Sequence, residues 1–339
     1  MNILVIDYLS PKGHITFNSI HINALKSLGC QLHLIGRQGL YEEFVGCKNV
    51  KITYIPERFF KLYPIPTISE RIKGILCLWW VQRNVRLSSY DKIIFLSYDI
   101  ISLFFFKIPK ITFLINHNNV DQLDNSIKLY LTRNLTNNFF HIAINNYMVN
   151  RLKELLPHRN VYYIPHGILP PSLCMERPSF VSENEKFIFC PVNRNYDENL
   201  INILINEEFN RYLQKNQLFL YVKKQLLNSY ISYSNIHVVD VLDNEEYNYM
   251  LSKSKAVILP YGAGFKYRCS GIMFECVARK TPIIASRIDA LEAFKGEINI
   301  SFFSNKDELI TAINNLSVIP LFNYDTNIFN PKKYWEKVL

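Results

Sequence analysis

Short apolar, β-branched runs recur along the chain, separated by longer stretches of mixed polarity. In the first half they are Ile3–Asp7, Gln31–Ile35, Val50–Ile55, Lys92–Ser97, Lys110–Ile115 and Phe140–Ile144. Most of the intervening stretches are long enough for crossover helices, and such alternation predicts a parallel sheet with helices on both faces. A stretch carrying Pro165, Pro170, Pro171 and Pro178 has no clear periodicity and reads as a linker. A second series follows, with strands predicted at Lys186–Cys190, Leu218–Val222, Ile236–Val239, Ala256–Leu259 and Pro282–Ala285. Asp243-Asn244-Glu245-Glu246 is a D-x-x-E capping box for the helix before Ala256. From Ser317 on, strand formers are few, and the chain ends in an amphipathic segment, Pro331–Leu339, with Trp335.

The expectation is an α/β chain of two Rossmann-like, doubly wound domains facing a cleft. They span residues 1–165 and 166–316, and a tail, 317–339, packs back on the first. Ligands of such sheets bind outside the carboxyl ends of the strands, so loops from both halves are expected to contribute.

Composition agrees. The 339 residues are 49% hydrophobic with mean hydropathy near zero, which suits a soluble globular protein too long for one ordinary core. With 21 Tyr, 23 Phe and only 11 Gly, disorder and low complexity are not expected. No uncharged apolar run reaches about 18 residues, so no spanning helix is expected. The N-terminus lacks a basic leader and reads as a first strand, not a signal peptide. The seven Cys are scattered, odd in number and without C-x-x-C spacing, which argues against a disulfide framework or a zinc site and fits a reducing cytosol.

The formal charge of +9 and pI near 9.0 favour an anionic partner, or simply a solvated basic surface. No nucleic-acid-binding motif accompanies the charge, so nucleic acid is not expected.

The richest stretch chemically is residues 258–286, ILPYGAGFKYRCSGIMFECVARKTPIIAS. It reads as a strand, a Gly-containing basic loop with Lys266 and Arg268, a helix opened by Ser270-Gly271, and another strand. Helix N-termini present free N–H groups and favour anions. Gly271 allows close approach of a ligand to the backbone. Glu275, four residues on, shares its face and leans back toward the helix start. It is the one carboxylate between Ile258 and Ile288 and needs a partner in its apolar surroundings. Two readings are open: a diphosphate-and-ribose site, or Glu275 paired with Arg268 or Arg279 beneath an ordinary surface loop.

Two further polar clusters follow predicted strands. Pro11-Lys12-Gly13-His14 follows the first, where Gly13 permits close approach and Lys12 or His14 can face a ligand. Asn116-His117-Asn118-Asn119 follows Ile111–Ile115, with Asp99 and Asp121 on neighbouring loops. The alternative for His117 is a hydrogen bond to loop backbone.

Residues 258–286 resemble the C-terminal nucleotide-sugar motif of GT-B glycosyltransferases of the large group 1, family 4-like type. Lys280-Thr281-Pro282-Ile283-Ile284-Ala285-Ser286 matches its "G-x-P-V-I-A-S"-like strand. Ile164-Pro165-His166-Gly167-Ile168 resembles the segment leading into the family's second domain. Phe187–Leu200 resembles the strand and loop that supply a basic phosphate contact, here Arg194. Val239-Asp240-Val241-Leu242 resembles the loop lying near the base.

The resemblance implies that Glu275 holds the ribose. It implies that Arg268, Ser270 and Gly271 bind the donor with Gly13, and that His117 contacts the donor sugar and its phosphate. Lys266, Arg268, Arg194 and the helix N-terminus would neutralise the leaving diphosphate, and Asp121 is the candidate base if the reaction inverts. One departure stands out: the family carries a second glutamate eight positions before this one, and Tyr267 occupies that place.

With no D-x-D, H-x-x-x-H or His/Cys cluster in the sequence, no metal is expected, and no cofactor besides the nucleotide sugar as co-substrate. The implied activity is metal-independent, retaining transfer of a sugar from a nucleotide-sugar donor to a glycan or lipid-linked glycan acceptor in surface-polysaccharide synthesis. The alternative, prompted by Tyr267, is a non-catalytic glycosyltransferase-like subunit that binds glycan or a partner enzyme.

Residues 57–90 combine Arg58, Lys61, Arg71, Lys73, Arg83 and Arg86 with Phe59, Phe60, Trp79 and Trp80. A basic segment with interfacial aromatics suits an anionic membrane surface, and a crossover helix with a solvated basic face fits equally. On the first reading the protein is cytoplasmic and peripheral on the inner membrane face.

Overall fold

The computed structural model describes residues 1–10, 12–60, 66–106, 108, 110–226, 233–317 and 326–339. The chain forms two compact units: Met1–Gly167 with Asn327–Leu339, and Ile168–Thr326.

The first unit holds a seven-stranded, wholly parallel sheet. Its strands are β1 (Asn2–Asp7), β2 (Gln31–Gly36), β3 (Val50–Tyr54), β4 (Lys92–Ser97), β5 (Thr112–Ile115), β6 (Phe139–Ala143) and β7 (Val161–Tyr163), in the order β3-β2-β1-β4-β5-β6-β7. The crossovers carry α1 (Ile15–Ser27), α2 (Pro66–Asn84), α3 (Ile100–Phe104), α4 (Asn119–Gln122), α5 (Ser126–Arg133) and α6 (Asn146–Leu155). The central strands are buried on both faces, as parallel sheets require. Successive residues serve opposite layers. Ile93, Phe95 and Leu114 pack with Cys77, Leu78 and Val81 of α2 and with Leu103 of α3, whereas Phe113 meets the Trp335 ring edge-on at 5.8 Å.

The second unit repeats the plan with β8 (Phe187–Cys190), β9 (Phe219–Lys223), β10 (Ile236–Val239), β11 (Val257–Leu259), β12 (Ile283–Ser286) and β13 (Ile300–Phe303), ordered β10-β9-β8-β11-β12-β13. Its helices are α7 (Glu198–Leu204), α8 (Glu207–Lys215), α9 (Asn244–Lys253), α10 (Gly271–Arg279), α11 (Asp289–Glu292) and α12 (Lys306–Asn314). One face of the sheet, including Ile188, Leu220, Val222 and Ile258, packs on α7, α8 and α12. On the other, Phe189 meets Tyr247 of α9.

Both sheets therefore have the 3-2-1-4-5-6 order of doubly wound folds, with switch points between β1 and β4 and between β8 and β11. The predicted capping box is present: the Asp243 side chain accepts from Glu245 N and Glu246 N, and Glu246 accepts from Asp243 N.

Two strands escape the apolar pattern. β7 is half-buried throughout and three residues long, and β13 is mostly half-buried. Both are edge strands, where one side of the backbone is unpaired and a continuous apolar run is not needed.

The last helix, α13 (Pro331–Val338), belongs to the first unit and packs on α1. It starts with Asn330 as N-cap and Pro331 in the first turn. Trp335 is fully buried, and its Nε1–H donates to His21 Nδ1 at 3.0 Å. The loop at Gly167 explains its own sequence. Gly167 has φ +86°, and a Cβ there would lie 2.4 Å from Ile20 Cγ2 and 3.0 Å from Pro331 Cγ.

Candidate functional site

In the second unit the loops after β8 and β11, neighbours across the switch point, are zipped together. Tyr196 and Tyr261 form an antiparallel bridge, Gly262 N donates to Asn195 O at 2.7 Å, and Asp197 N donates to Pro260 O at 2.9 Å. Asn195 adopts φ +57° to make this turn. A Cβ on Gly262 would come within 2.9 Å of Tyr196 O, so the close contact demands glycine. Exposed Arg194 is thereby carried to the loop that holds exposed Lys266 and half-buried Arg268.

Helix α10 starts at the end of that loop. Ser270 is its N-cap, accepting from Met273 N at 3.2 Å, and its Oγ also bonds the Tyr261 hydroxyl at 2.8 Å. The Ser270 side chain is thus committed to the helix, and what the terminus presents outward is backbone N–H. Gly271 is exposed, and a Cβ added there would meet nothing within 4 Å, as is also true at Gly13. The protein's own packing does not require glycine at either place.

Glu275 points to neither of the arginines considered as side-chain partners. Its Oε2 accepts from the Tyr247 hydroxyl of α9 at 3.0 Å, while Arg279 Nη1 donates to the Glu275 backbone carbonyl at 2.9 Å and Nη2 to Asn248 Oδ1. Burial pushes the Glu275 carboxyl up, with the Tyr247 bond and the Arg279 charge opposing. Tyr247, raised well above its ordinary value by burial and then by the Glu275 charge, stays a donor. The sequence reading missed Tyr247. It lies 28 residues away on another helix, and only the packing of α9 on α10 brings it close.

In the first unit a cluster of rings stands at the carboxyl ends of the strands. His14, Phe17 and His21 lie on one face of the β1–α1 segment by their three- and four-residue spacing. His117, after β5, stacks on His14 with ring centroids 4.1 Å apart. The Phe17 ring lies 4.3 Å from His21 and from His117 and 4.8 Å from His166.

His117 does hydrogen-bond backbone: Nε2–H donates to Leu96 O at the end of β4, 3.1 Å away. That fixes the proton on Nε2 and leaves Nδ1 with the lone pair. Burial, then the neighbouring histidines, hold His117 well below the usual histidine range. Burial likewise lowers His14, His166 to about 4 and His21 to about 3. The spacing of His14, Phe17 and His21 was visible in the sequence, but nothing there showed that His117 and His166 complete the cluster.

The neighbouring acids differ. Asp99 caps α3, accepting from Ser102 N at 2.9 Å, so it is structural. Asp121 lies half-buried on α4. Buried Asp7, at the end of β1, accepts from Ser97 Oγ, from Tyr41 OH at 2.6 Å and from Ser10 N at 3.2 Å, a hub that joins the two strands of the switch point. Pro11 and the Lys12 side chain lie outside the described residues. Among the described residues no group of three His, Cys, Asp or Glu is arranged to hold a metal ion, and no helix is long and apolar enough to cross a membrane.

No family model matches the chain, and no curated protein matches it by sequence. Solved structures do match over nearly its full length. Sucrose-phosphate synthase from Thermosynechococcus elongatus is similar at 12% identity and a TM-score of 0.64, covering 99% of this chain and 94% of that one. UDP-GlcNAc 2-epimerase from Neisseria meningitidis, bound to UDP-GlcNAc, is similar at 15% identity and 0.60, covering 99% of each. HepE from Anabaena, in complex with UDP-glucose, is similar at 13% identity and 0.60, covering 100% of this chain and 99% of that one. The resemblance read from the motifs is therefore matched at the level of architecture: this chain has the GT-B glycosyltransferase fold.

Proposed function

We propose that the protein is a glycosyltransferase that takes its sugar from a nucleotide donor held by the second unit. The observation that carries this is the α10 N-terminus. Exposed backbone N–H groups, Lys266, Arg268 and Arg194 stand together at a sheet switch point, one helical turn from a carboxylate with a single hydroxyl partner. A diphosphate would sit at the helix start, and ribose hydroxyls would donate to Glu275, which keeps Tyr247 as its other donor. Charge on the departing diphosphate grows as the glycosidic C–O bond breaks, so pre-placed cations and N–H groups stabilise that step. Solved structures of like fold contain UDP-GlcNAc and UDP-glucose, which supports a nucleotide-sugar partner.

On this reading His117, neutral, offers an acceptor nitrogen rather than charge, and Asp121 is the candidate base if transfer inverts. Retention is the outcome the family resemblance implies and the one favoured here; the leaving phosphate oxygen then takes the acceptor hydroxyl's proton, and no strong protein base is required. The acceptor is a glycan or lipid-linked glycan in surface-polysaccharide synthesis, with the protein cytoplasmic and peripheral to the membrane, and the reaction independent of metal.

Tyr267, in place of the sugar-binding glutamate, favours a second reading as a non-catalytic binding subunit. A thermal-shift panel of UDP, GDP, CDP and ADP tests the donor site. A nucleotide at a hundred times its Kd adds about 2.7 kcal/mol to the folded state, roughly 8 °C for a unit of this size. The absence of a shift with every one of these nucleotides would remove the donor site. A shift without release of nucleoside diphosphate on any acceptor preparation would favour the binding subunit.

A further inference from the structure

Helix α2 carries two faces. Cys77, Leu78 and Val81 enter the core. Ile72, Trp79 and Arg83, spaced by seven and four, form an exposed stripe, with the Arg83 guanidinium 4.6 Å over the Trp79 ring. So the crossover helix predicted for this segment also has an apolar outer surface. Its neighbour α3 packs on it and ends in Phe104 and Phe105, whose rings touch edge-on and whose second member is 69% exposed. Helix α5 packs on α3 and turns Ile127 and Tyr130 outward, 66% and 64% exposed, from one helix face. Large apolar side chains on three touching helices form more than the scattered exposure ordinary on a surface.

Cations are interleaved with them. Arg71 precedes Ile72 and Lys128 follows Ile127; burial lowers Lys128, the Asp99 charge opposes that, and the Arg71 charge adds to it. Of the nearby acids, Asp99 caps α3 while its charge also acts on Lys128, and Asp124 pairs with Arg151.

We infer that the outer face of α2, α3 and α5 docks on an anionic lipid bilayer. Aromatic and aliphatic tips enter the headgroup boundary while arginine and lysine meet lipid phosphate. A second copy of the chain fits this face less well, because an isologous contact would bring together two faces that each carry Arg71, Arg83 and Lys128. The inference deepens the proposed peripheral location and rests on that part of the reading alone. Nucleotide binding reads a different surface, so the two can fail separately.

The test is co-sedimentation with vesicles of phosphatidylcholine alone and of phosphatidylcholine with one-third phosphatidylglycerol, at low and physiological salt. The expected result is binding to the anionic vesicles only, weakened by salt. Arg71→Gln and Lys128→Gln should each lower partitioning about fivefold. Phe105→Ser/Ile127→Ser/Tyr130→Ser should lower it at least about tenfold. All of these side chains are exposed or half-buried, and an unchanged circular dichroism melt confirms the fold. No binding at low salt would overturn the inference. Equal binding by the triple variant would overturn it too, since general basic charge would then suffice. So would a dimer in sedimentation velocity that the triple variant dissociates, because the face would then be a self-interface.

Discussion

At the residue scale, what decides the donor site is how few bonds Glu275 makes. A half-buried carboxylate in an apolar helix costs several kcal/mol unless it is paired, and its one hydrogen bond comes from Tyr247. Removing that hydroxyl should leave Glu275 to the ligand alone. Tyr247→Phe is expected to lower the melting temperature by a few degrees in the absence of nucleotide and to weaken nucleotide binding about tenfold, by mispositioning the carboxylate. Thermal melts with and without nucleotide check both. Gly271 makes the reverse prediction. A Cβ there meets no protein atom within 4 Å, so Gly271→Ala should leave stability unchanged or slightly raised while nucleotide affinity falls. An unaffected affinity would mean that no ligand approaches the backbone at that place. Glu275 was legible in the sequence because it interrupts an apolar run. Tyr247 was not, because nothing local marks one tyrosine of α9 as the one that faces α10.

At the element scale, the β1–α1 segment carries a histidine cluster whose charge state sets a pH dependence. Burial lowers His14, His21, His117 and His166 in the folded protein, with about 3 for His21 and about 4 for His166. The unfolded chain binds these protons from about pH 6.5 downward and the folded chain does not. Stability should therefore fall as pH drops from about 6.5 toward 4, by at most about 1.4 kcal/mol per pH unit for each buried ring. Asp7 and Glu275, raised by burial, act in the opposite sense at the acid end. Urea unfolding at pH 7.5, 6.0 and 5.0 should show a smaller loss for His166→Asn than for the wild type. The helical spacing of His14, Phe17 and His21 was readable, but the meeting with His117 and His166 depends on strand order. Edge strands β7 and β13 went unread for a related reason, since half-buried three- and four-residue runs have no apolar signature.

At the scale of the whole molecule, the two sheets were legible because parallel strands buried on both faces must be written as near-continuous apolar runs. The tail's return to the first unit was expected, but the residues that receive it lie far away in the sequence. Trp335 follows the second unit in sequence, yet it packs on Phe113 and donates to His21 in the first. Trp335→Ala should cost about 3–5 kcal/mol. Hydrogen exchange should report that loss in β1, β5 and α1 and not in β8–β13; loss in the second sheet would contradict the placement of α13.

The central claim is that the second unit holds a ribonucleoside diphosphate with Glu275 on its ribose. Titration calorimetry with the best nucleotide of the panel and with its 2′,3′-dideoxy analogue tests this directly. A hydrogen bond to a charged group contributes about 1.5–3 kcal/mol, so the wild type should prefer the ribonucleotide by at least about tenfold. Glu275→Ala should bind the two alike and weakly. Equal affinity of the wild type for both, or a preference that survives in Glu275→Ala, would contradict the account.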